Sequence, residues 1–362
     1  MNVNDDMRRL NDETMPRSYQ RRLQRRRRRQ RRRTLRRRLN RLTDTSFSII
    51  PMENQDSFGE LKLPKLIQDD EQDSKGTIIQ HSDWGLVERV KQALGIKLFE
   101  KLQQSFLGRV IEIASKIGDI KFSGKIFHFL MQRRLKTKGS TLWFVVDSQP
   151  IRFSLREFFL TTGIQCQAVD RDLQRKGKDL VKEQYFWTQG GQFTLSQIQN
   201  RLFRKVEDGE EEIEDEEKFC LGAVVLTEGI LLTLSCQEKI PADRLEHASD
   251  FDMYTAQSWG KEAYVVLSSC IQKMNKKTWL KGAYDVKGFP IAITVWALSA
   301  VPVLGAAFGK RSNTSNSDYP LIFNWESTTA PSFSALVNFV KRMNNVEAKT
   351  IIGDENSLMT LP

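Results

Sequence analysis

The residues best suited to chemistry lie near the N-terminus, where arginine dominates the sequence. Fifteen arginines fall between Arg17 and Arg41, and the first 50 residues contain no lysine. A guanidinium group presents a rigid fork that binds phosphate through two hydrogen bonds, whereas an ammonium group acts as a point charge. This composition predicts binding to phosphate groups or to an import receptor. The candidate residues are Arg25, Arg26, Arg27, Arg28, Arg29, Arg31, Arg32, Arg33, Arg36, Arg37 and Arg38.

The positive charge of the chain is confined to this segment. Residues 1–50 hold 17 arginines and five acidic residues, a net charge of +12, whereas the whole chain carries +11. Residues 51–362 therefore carry about −1, and any partner inferred from net charge is a partner of the N-terminal segment. Its only aromatic residues are Tyr19 and Phe47, which argues against base stacking.

We expect residues 1–45 to form a disordered tail, because like charges repel one another when no partner neutralises them. Leu35, Leu39 and Leu42 have helical spacing, so a helix can form once phosphates neutralise the arginines. We interpret the tail as a nuclear or nucleolar import signal, with RNA or DNA binding compatible with it. A solvated arm without a partner is the alternative. A secretory or mitochondrial presequence is not indicated, since no apolar core follows the basic run.

The rest of the chain has the composition of a folded domain. The sequence predicts a polar linker at 46–80, a mainly helical domain at 81–345 and a C-terminal tail at 346–362. A loop at 207–217 holds nine acidic residues in eleven positions. A solvated surface loop is the default interpretation of such a run, and binding of cations or of the arginine tail is the alternative.

Apolar residues at spacings of three and four predict the helices of this domain. Predicted helices cover Leu98 to Ile117, Cys220 to Cys236, Trp259 to Met274, and Phe333 to Met343, with a further helix beginning at Pro290. Phe289 to Phe308 is an uncharged run of 20 residues, long enough for a membrane span. Pro302 interrupts this run and basic residues flank both of its ends, so we interpret it as a buried helix without membrane contact.

A hairpin and a helix are predicted between Leu142 and Gly163. Leu142 to Val146 and Ile151 to Phe153 are apolar runs separated by turn residues, which is typical of a β-hairpin. Ser154 and Glu157 have the spacing of a capping box at the start of a helix that Gly163 ends. The fold class is therefore mainly α within α+β, a helical domain with a small β-hairpin.

Within this block Trp143, Phe153 and Phe158 are predicted to be core residues. Arg152 and Arg156 are the candidate partner surface of the domain. Arg152 either pairs with a carboxylate such as Glu157 or projects outward to bind a partner.

The same block resembles a plant family, the domain of unknown function numbered nineteen-eighty-five. The resemblance rests on an apolar helix ending in basic residues, a Trp-Phe strand, a Pro-Ile-Arg-Phe-Ser-Leu-Arg-Glu-Phe run and a Thr-Gly turn. Those features are Ile126 to Leu135, Trp143 to Val146, Pro150 to Phe158, and Thr162 with Gly163. Gly288 to Leu298, followed by Val301 and Pro302, is similar to a later helix of that family. The resemblance implies a transposon-related domain that often stands upstream of a ubiquitin-like protease domain.

Catalytic motifs are not indicated by the sequence. Gly305 to Arg311 comes near a phosphate-binding loop, but its glycines are one residue too close and Arg311 stands where serine or threonine must bind magnesium. Four scattered cysteines and three histidines lack metal-ligand spacing, so we expect neither a metal nor another cofactor. A composite site of His128 and Cys166 is the remaining catalytic alternative.

The sequence therefore predicts a non-catalytic nuclear interaction protein of plant transposon-related origin. Its tail is an import and nucleic-acid-binding arm, and the partner of its helical domain is a protein that the sequence does not specify. The alternative is a docking module, or a truncated relic, of a SUMO-protease-like polypeptide that lacks its catalytic domain.

Overall fold

A computed structural model describes the central part of the chain. The described residues are 65–67, 73, 77–147, 149–167, 185–188, 192–204, 213–281, 283–313 and 320–343. The predicted tail at 1–45, residues 207–212 of the acidic loop and the C-terminal tail at 346–362 lie outside them. All described residues belong to one compact unit, Leu63–Pro362.

Helices make up most of the described structure. They are α1 Leu86–Gln103, α2 Leu107–Lys116, α3 Gly124–Gln132, α4 Leu155–Thr162, α5 Leu195–Phe203, α6 Asp215–Leu226, α7 Ala242–Ala248, α8 Phe251–Thr255, α9 Trp259–Lys273, α10 Lys276–Trp279, α11 Ile291–Ala300, α12 Pro302–Phe308 and α13 Phe333–Arg342. A π-helical turn, Thr227–Leu231, continues α6, and a 3₁₀ turn, Leu321–Asn324, precedes the last strand.

Within the described residues, three two-stranded sheets accompany the helices. Their strands are β1 Thr77–Gln80, β2 Leu142–Val146, β3 Gln149–Phe153, β4 Ala283–Val286, β5 Gly309–Arg311 and β6 Trp325–Thr328. Strands β2 and β3 form the predicted antiparallel hairpin, β5 pairs antiparallel with β6, and β1 pairs parallel with β4. The mainly helical fold with a small hairpin is thus confirmed. Strand β1 lies in the segment that the sequence assigned to the linker.

The hairpin buries alternate residues of β2. Leu142, Phe144 and Val146 are buried, so the intervening Trp143 lies on the opposite face and is only half-buried. The prediction that Trp143 is a core residue was therefore wrong. Asp147 forms the turn with φ 47°, a left-handed conformation that aspartate tolerates better than most residues.

Helix α4 follows the hairpin and begins and ends as predicted. The Ser154 hydroxyl and the Glu157 carboxylate form the capping box. Gly163 ends the helix with φ 66°, and a side chain there would approach within 2.5 Å of Pro320 Cγ. Glycine is therefore required at this position by both the backbone conformation and the space.

Two helix predictions were wrong in their extent. The run from Leu98 to Ile117 forms two helices, because the Ser105 hydroxyl donates to the Leu102 carbonyl and accepts from the Leu107 amide, which competes with helical hydrogen bonds. The helix predicted at Cys220 to Cys236 ends earlier, at the π-helical turn. Thr233, two residues after this turn, has φ 51°, so its backbone is no longer helical.

Helix α11 forms the centre of the core. Trp296 on this helix contacts the inner face of the hairpin, with ring centroids 5.0 Å from Phe153 and 6.0 Å from Phe144. Helix α11 ends at Ala300 and α12 begins at Pro302, so the apolar run is interrupted where predicted. Among the described residues no single helix meets the length and hydropathy of a membrane span, and α11 with α12 meets them only as a pair bent by 112°.

Candidate interaction site

The predicted site residues fall in two separate regions. The eleven arginines of the tail lie outside the described residues. Arg152 on β3 and Arg156 on α4 are described, and both bind the same carboxylate.

Glu157 is a shared hydrogen-bond acceptor at the start of α4. It is 2% exposed and accepts from Arg152 at 3.1 Å, from Arg156 at 3.4 Å and from the Ser154 amide at 2.8 Å. The Arg152 side chain is 41% exposed, so it pairs with Glu157 while one part stays accessible to solvent. The alternative in which Arg152 pairs with Glu157 is therefore confirmed, and binding of a partner by its exposed part stays a prediction. This cluster joins the hairpin to the helix.

A groove that sequence analysis missed lies between α9, α10 and β4. Its volume is about 660 Å³. Four basic residues line it, and the acidic residues among its lining are Glu262 and Asp285. The basic residues are Arg244, Lys273, Lys281 and Lys287. Charges of this kind attract an anionic partner.

Cys270 lies between the two walls of this groove. Its thiol is 3.9 Å from the Asp285 carbonyl oxygen, and the Lys287 amide donates to the sulfur at 3.5 Å. Burial raises the pKa of the Cys270 thiol, although the amide and the charges of Lys287 and Lys273 act in the opposite direction. The thiol is therefore a neutral group that joins helix to strand, and a reactive thiolate is disfavoured.

A buried ion pair holds one end of the groove. Arg244 donates to the two carboxylate oxygens of Glu228 at 3.2 and 3.0 Å, and Glu228 is fully buried in the π-helical turn. Burial raises the pKa of Glu228 to about 7, against the opposing effect of Arg244. Burial, and next the charge of Glu228, raise the pKa of Tyr254 well above its ordinary range. A π-helical turn often accompanies a functional site, and here it positions the carboxylate that orients Arg244.

A second buried cluster, formed by His128, Gln132 and Tyr284, holds β4 in place. Both ring nitrogens of the fully buried His128 are engaged, Nδ1 with the Tyr284 hydroxyl at 3.0 Å and Nε2 with the Gln132 amide at 2.8 Å. Burial raises the pKa of Tyr284. Because Tyr284 is the second residue of the four-residue strand β4, its hydrogen bond to His128 fixes the strand beside the groove.

Arg134 fixes the end of α9 in a similar way. Its guanidinium donates to the carbonyl of Ile271 and, at 2.9 Å, to that of Met274, which caps the C-terminus of the helix. Burial lowers the pKa of Arg134 to about 10. The sequence signal was a basic residue after an apolar helix, but its distant partners could not be inferred from it.

The composite site of His128 and Cys166 is not assembled. Cys166 donates to the Ile164 carbonyl at 3.3 Å and lies beside Gly260, while His128 contacts Trp279, Tyr284 and Phe333. Burial raises the pKa of Cys166 to about 12, against the charge of Lys261. Within the described ranges no group of three or more His, Cys, Asp or Glu residues could hold a metal ion.

Comparison with known proteins gives one match. A family model described as "Domain of unknown function (DUF1985)" matches residues 130–269. No curated protein and no solved structure matches the chain. The matched range includes the hairpin, α4 and the helical wall of the groove up to Ser269, and it ends before β4.

Proposed function

We propose that the chain, whose residues 130–269 match the DUF1985 family model, is a non-catalytic interaction protein of the nucleus, of plant transposon-related origin. The arginine tail binds an import receptor and the phosphates of RNA or DNA. The helical domain binds a protein partner through its groove. The observation that carries the proposal is the separation of charge, +12 in residues 1–50 against about −1 in the remainder.

Two kinds of binding follow from this separation. The tail has fifteen arginines between Arg17 and Arg41, and each guanidinium group can bind a phosphate through two hydrogen bonds. It lacks neighbouring aromatic residues on which bases could stack. Residues 51–362 carry only about −1 in total, so their contribution to binding depends on local surfaces such as the groove. Each binding function therefore has its own segment.

Support for a non-catalytic role comes from the candidate nucleophiles. Burial raises the pKa of both Cys166 and Cys270, which disfavours the thiolate that covalent catalysis requires. His128 uses both of its ring nitrogens in buried hydrogen bonds and has none exposed to a substrate. These groups stabilise the fold.

Residues 1–45 fused to a reporter should carry it into the nucleus or nucleolus. The physical reason is the density of guanidinium groups, fifteen between Arg17 and Arg41. Microscopy of the fusion measures this, and a matched fusion with the eleven candidate arginines changed to glutamine serves as the control. A reporter that stays cytosolic while an authentic import signal works would contradict the proposed role of the tail.

The second candidate function is a docking module, or a truncated relic, of a SUMO-protease-like polypeptide. It rests on the DUF1985 match together with the resemblance to domains that stand upstream of such proteases. Genomic sequence downstream of Pro362 tests it. A frame with the His, Asp and Cys-Gly of such a protease would favour this candidate, and its absence would favour the first.

A further inference from the structure

We propose that the groove binds a second copy of the chain, so that the α9 helices of the two copies pack antiparallel. The contact is the α9 stripe, defined as the residues of α9 that line the groove three or four positions apart: Glu262, Val265, Val266, Ser269 and Lys273. This inference rests on the proposed binding of a protein through the groove, and it specifies that protein and the mode of binding.

Two other sides of α9 are occupied by the chain itself. One side packs in the core through Ala263, Leu267 and Ile271, which are all buried. Toward β4, the Cys270 thiol donates to one backbone carbonyl of that segment and accepts from one backbone amide. The β4 backbone is therefore closed by α9, and a partner in the groove meets the side chains of the α9 stripe.

The α9 stripe is open to solvent. Glu262 and Lys273 are exposed, Val265 is 40% exposed, and Ser269 is half-buried. The two long charged side chains stand at the ends of the stripe, and shorter side chains lie between them. A second helix can therefore approach the middle of the stripe closely.

The order of charges along the α9 stripe is complementary to its own reverse. Glu262 and Lys273 are eleven positions apart, which is about 16 Å along the helix axis. A two-fold axis midway between them would place each Glu262 beside the partner's Lys273, so the same ion pair would form twice. A parallel pair of helices would instead place like charges side by side, which is unfavourable. The charges therefore select the antiparallel arrangement.

Pairing within the chain leaves both signs of charge free in the groove. Three of its charged residues form ion pairs within the chain, Arg244 with Glu228, Lys287 with Glu238, and Asp285 with His81. Among the described lining residues, the charged groups that form no ion pair are Glu262, Lys273 and Lys281. A purely anionic partner, such as a nucleic acid, has no cation for Glu262. A second copy supplies a lysine for Glu262 and a carboxylate for Lys273.

Sedimentation velocity of the nuclease-treated full chain, over a wide concentration series, measures the association. We expect a monomer–dimer equilibrium in which the dimer fraction rises with concentration, because one pair of helices forms a small interface. Glu262→Lys alone, or Lys273→Glu alone, places like charges at both contacts and should weaken the dimer by about tenfold or more. A wild-type chain that stays monomeric throughout the series would overturn the proposal.

A charge swap tests the pairing itself. The double variant Glu262→Lys with Lys273→Glu restores opposite charges at both contacts, so its dissociation constant should return to within about threefold of the wild-type value. For the same reason, an equal mixture of the two single variants should form a heterodimer at concentrations where each alone is monomeric. Circular dichroism shows that the variants are folded. If the folded double variant and the mixture both stayed monomeric, the proposed pairing would be wrong.

Two exposed residues outside the groove lining supply matched controls. Glu100→Lys on α1 and Lys341→Glu on α13 make the same changes of charge and should leave the dissociation constant within about twofold. Equal losses in these controls would contradict the α9 stripe as the contact. A dimer that disappears on nuclease treatment would assign the association to nucleic acid on the arginine tail and would also overturn the proposal. Nuclear import by the tail fusion is unaffected by any of these results, so failure here is distinguishable from failure of the proposed function.

Discussion

Replacement of Phe158 by alanine should reduce the free energy of unfolding by about 3 to 5 kcal/mol, through lost apolar transfer energy and the cavity that remains. The Phe158 ring is fully buried, with ring centroids 6.0 Å from Tyr264 and 6.4 Å from Phe289. Urea denaturation of the wild type and the variant measures the change. Phe159→Ala is the matched control, because Phe159 lies on the same helix and is only half-buried. Its cost should be smaller.

An opposite result would change the interpretation of the whole hairpin and helix block. If Phe158→Ala left stability unchanged and abolished binding of a protein partner, the block would be an exposed binding surface. Arg152 and Arg156 would then be its charged contacts.

Replacement of Arg244 by alanine should destabilise the fold, by up to about 3 to 5 kcal/mol at a pH where Glu228 is ionised, because it leaves that carboxylate buried without a partner. The pKa of Glu228 in the folded protein, about 7, is higher than in an unfolded chain. At pH values between the pKa of Glu228 in the unfolded chain and its pKa in the folded protein, the folded state binds more protons than the unfolded state. The free energy of unfolding therefore falls as the pH rises through this interval. Without Arg244 the folded pKa rises further, so the interval widens.

The cost of Arg244→Ala should consequently be larger at about pH 8 than at about pH 5, where Glu228 is protonated. Urea denaturation at both pH values measures this difference, and adding Glu228→Gln to Arg244→Ala should remove it. Lys310→Ala is a control, since its pair with Glu326 is exposed and should contribute about 1 kcal/mol or less. An equal cost at both pH values would contradict the assignment of Glu228 as the titrating group.

The parts of the fold that depend on neighbouring residues could be predicted from the sequence. The hairpin, the Ser154 and Glu157 capping box and the glycine that ends α4 are short-range features, and each is present. The side chain of Ser105 divided one predicted helix in two, because its hydrogen bonds compete with the backbone and a periodic apolar pattern does not reveal them.

The groove could not be predicted because its walls come from segments whose packing the sequence does not specify. Helix α9 was predicted, but β4 is a strand of four residues whose partner β1 lies about 200 positions earlier, in the segment assigned to the linker. Arg134 and His128 hold those walls through equally distant contacts. Trp143 was misplaced for a simpler reason, since composition does not decide which face of a strand is buried.

The central claim is that the tail and the domain bind different partners, and the salt dependence of duplex nucleic-acid binding tests it most directly. With residues 1–45 present, affinity should fall with salt along a log–log slope of about −5, as expected for ~6 neutralised phosphates, and should depend little on base sequence. Without residues 1–45, binding should be lost. Undiminished binding by residues 46–362 would contradict the claim and place nucleic-acid recognition in the helical domain.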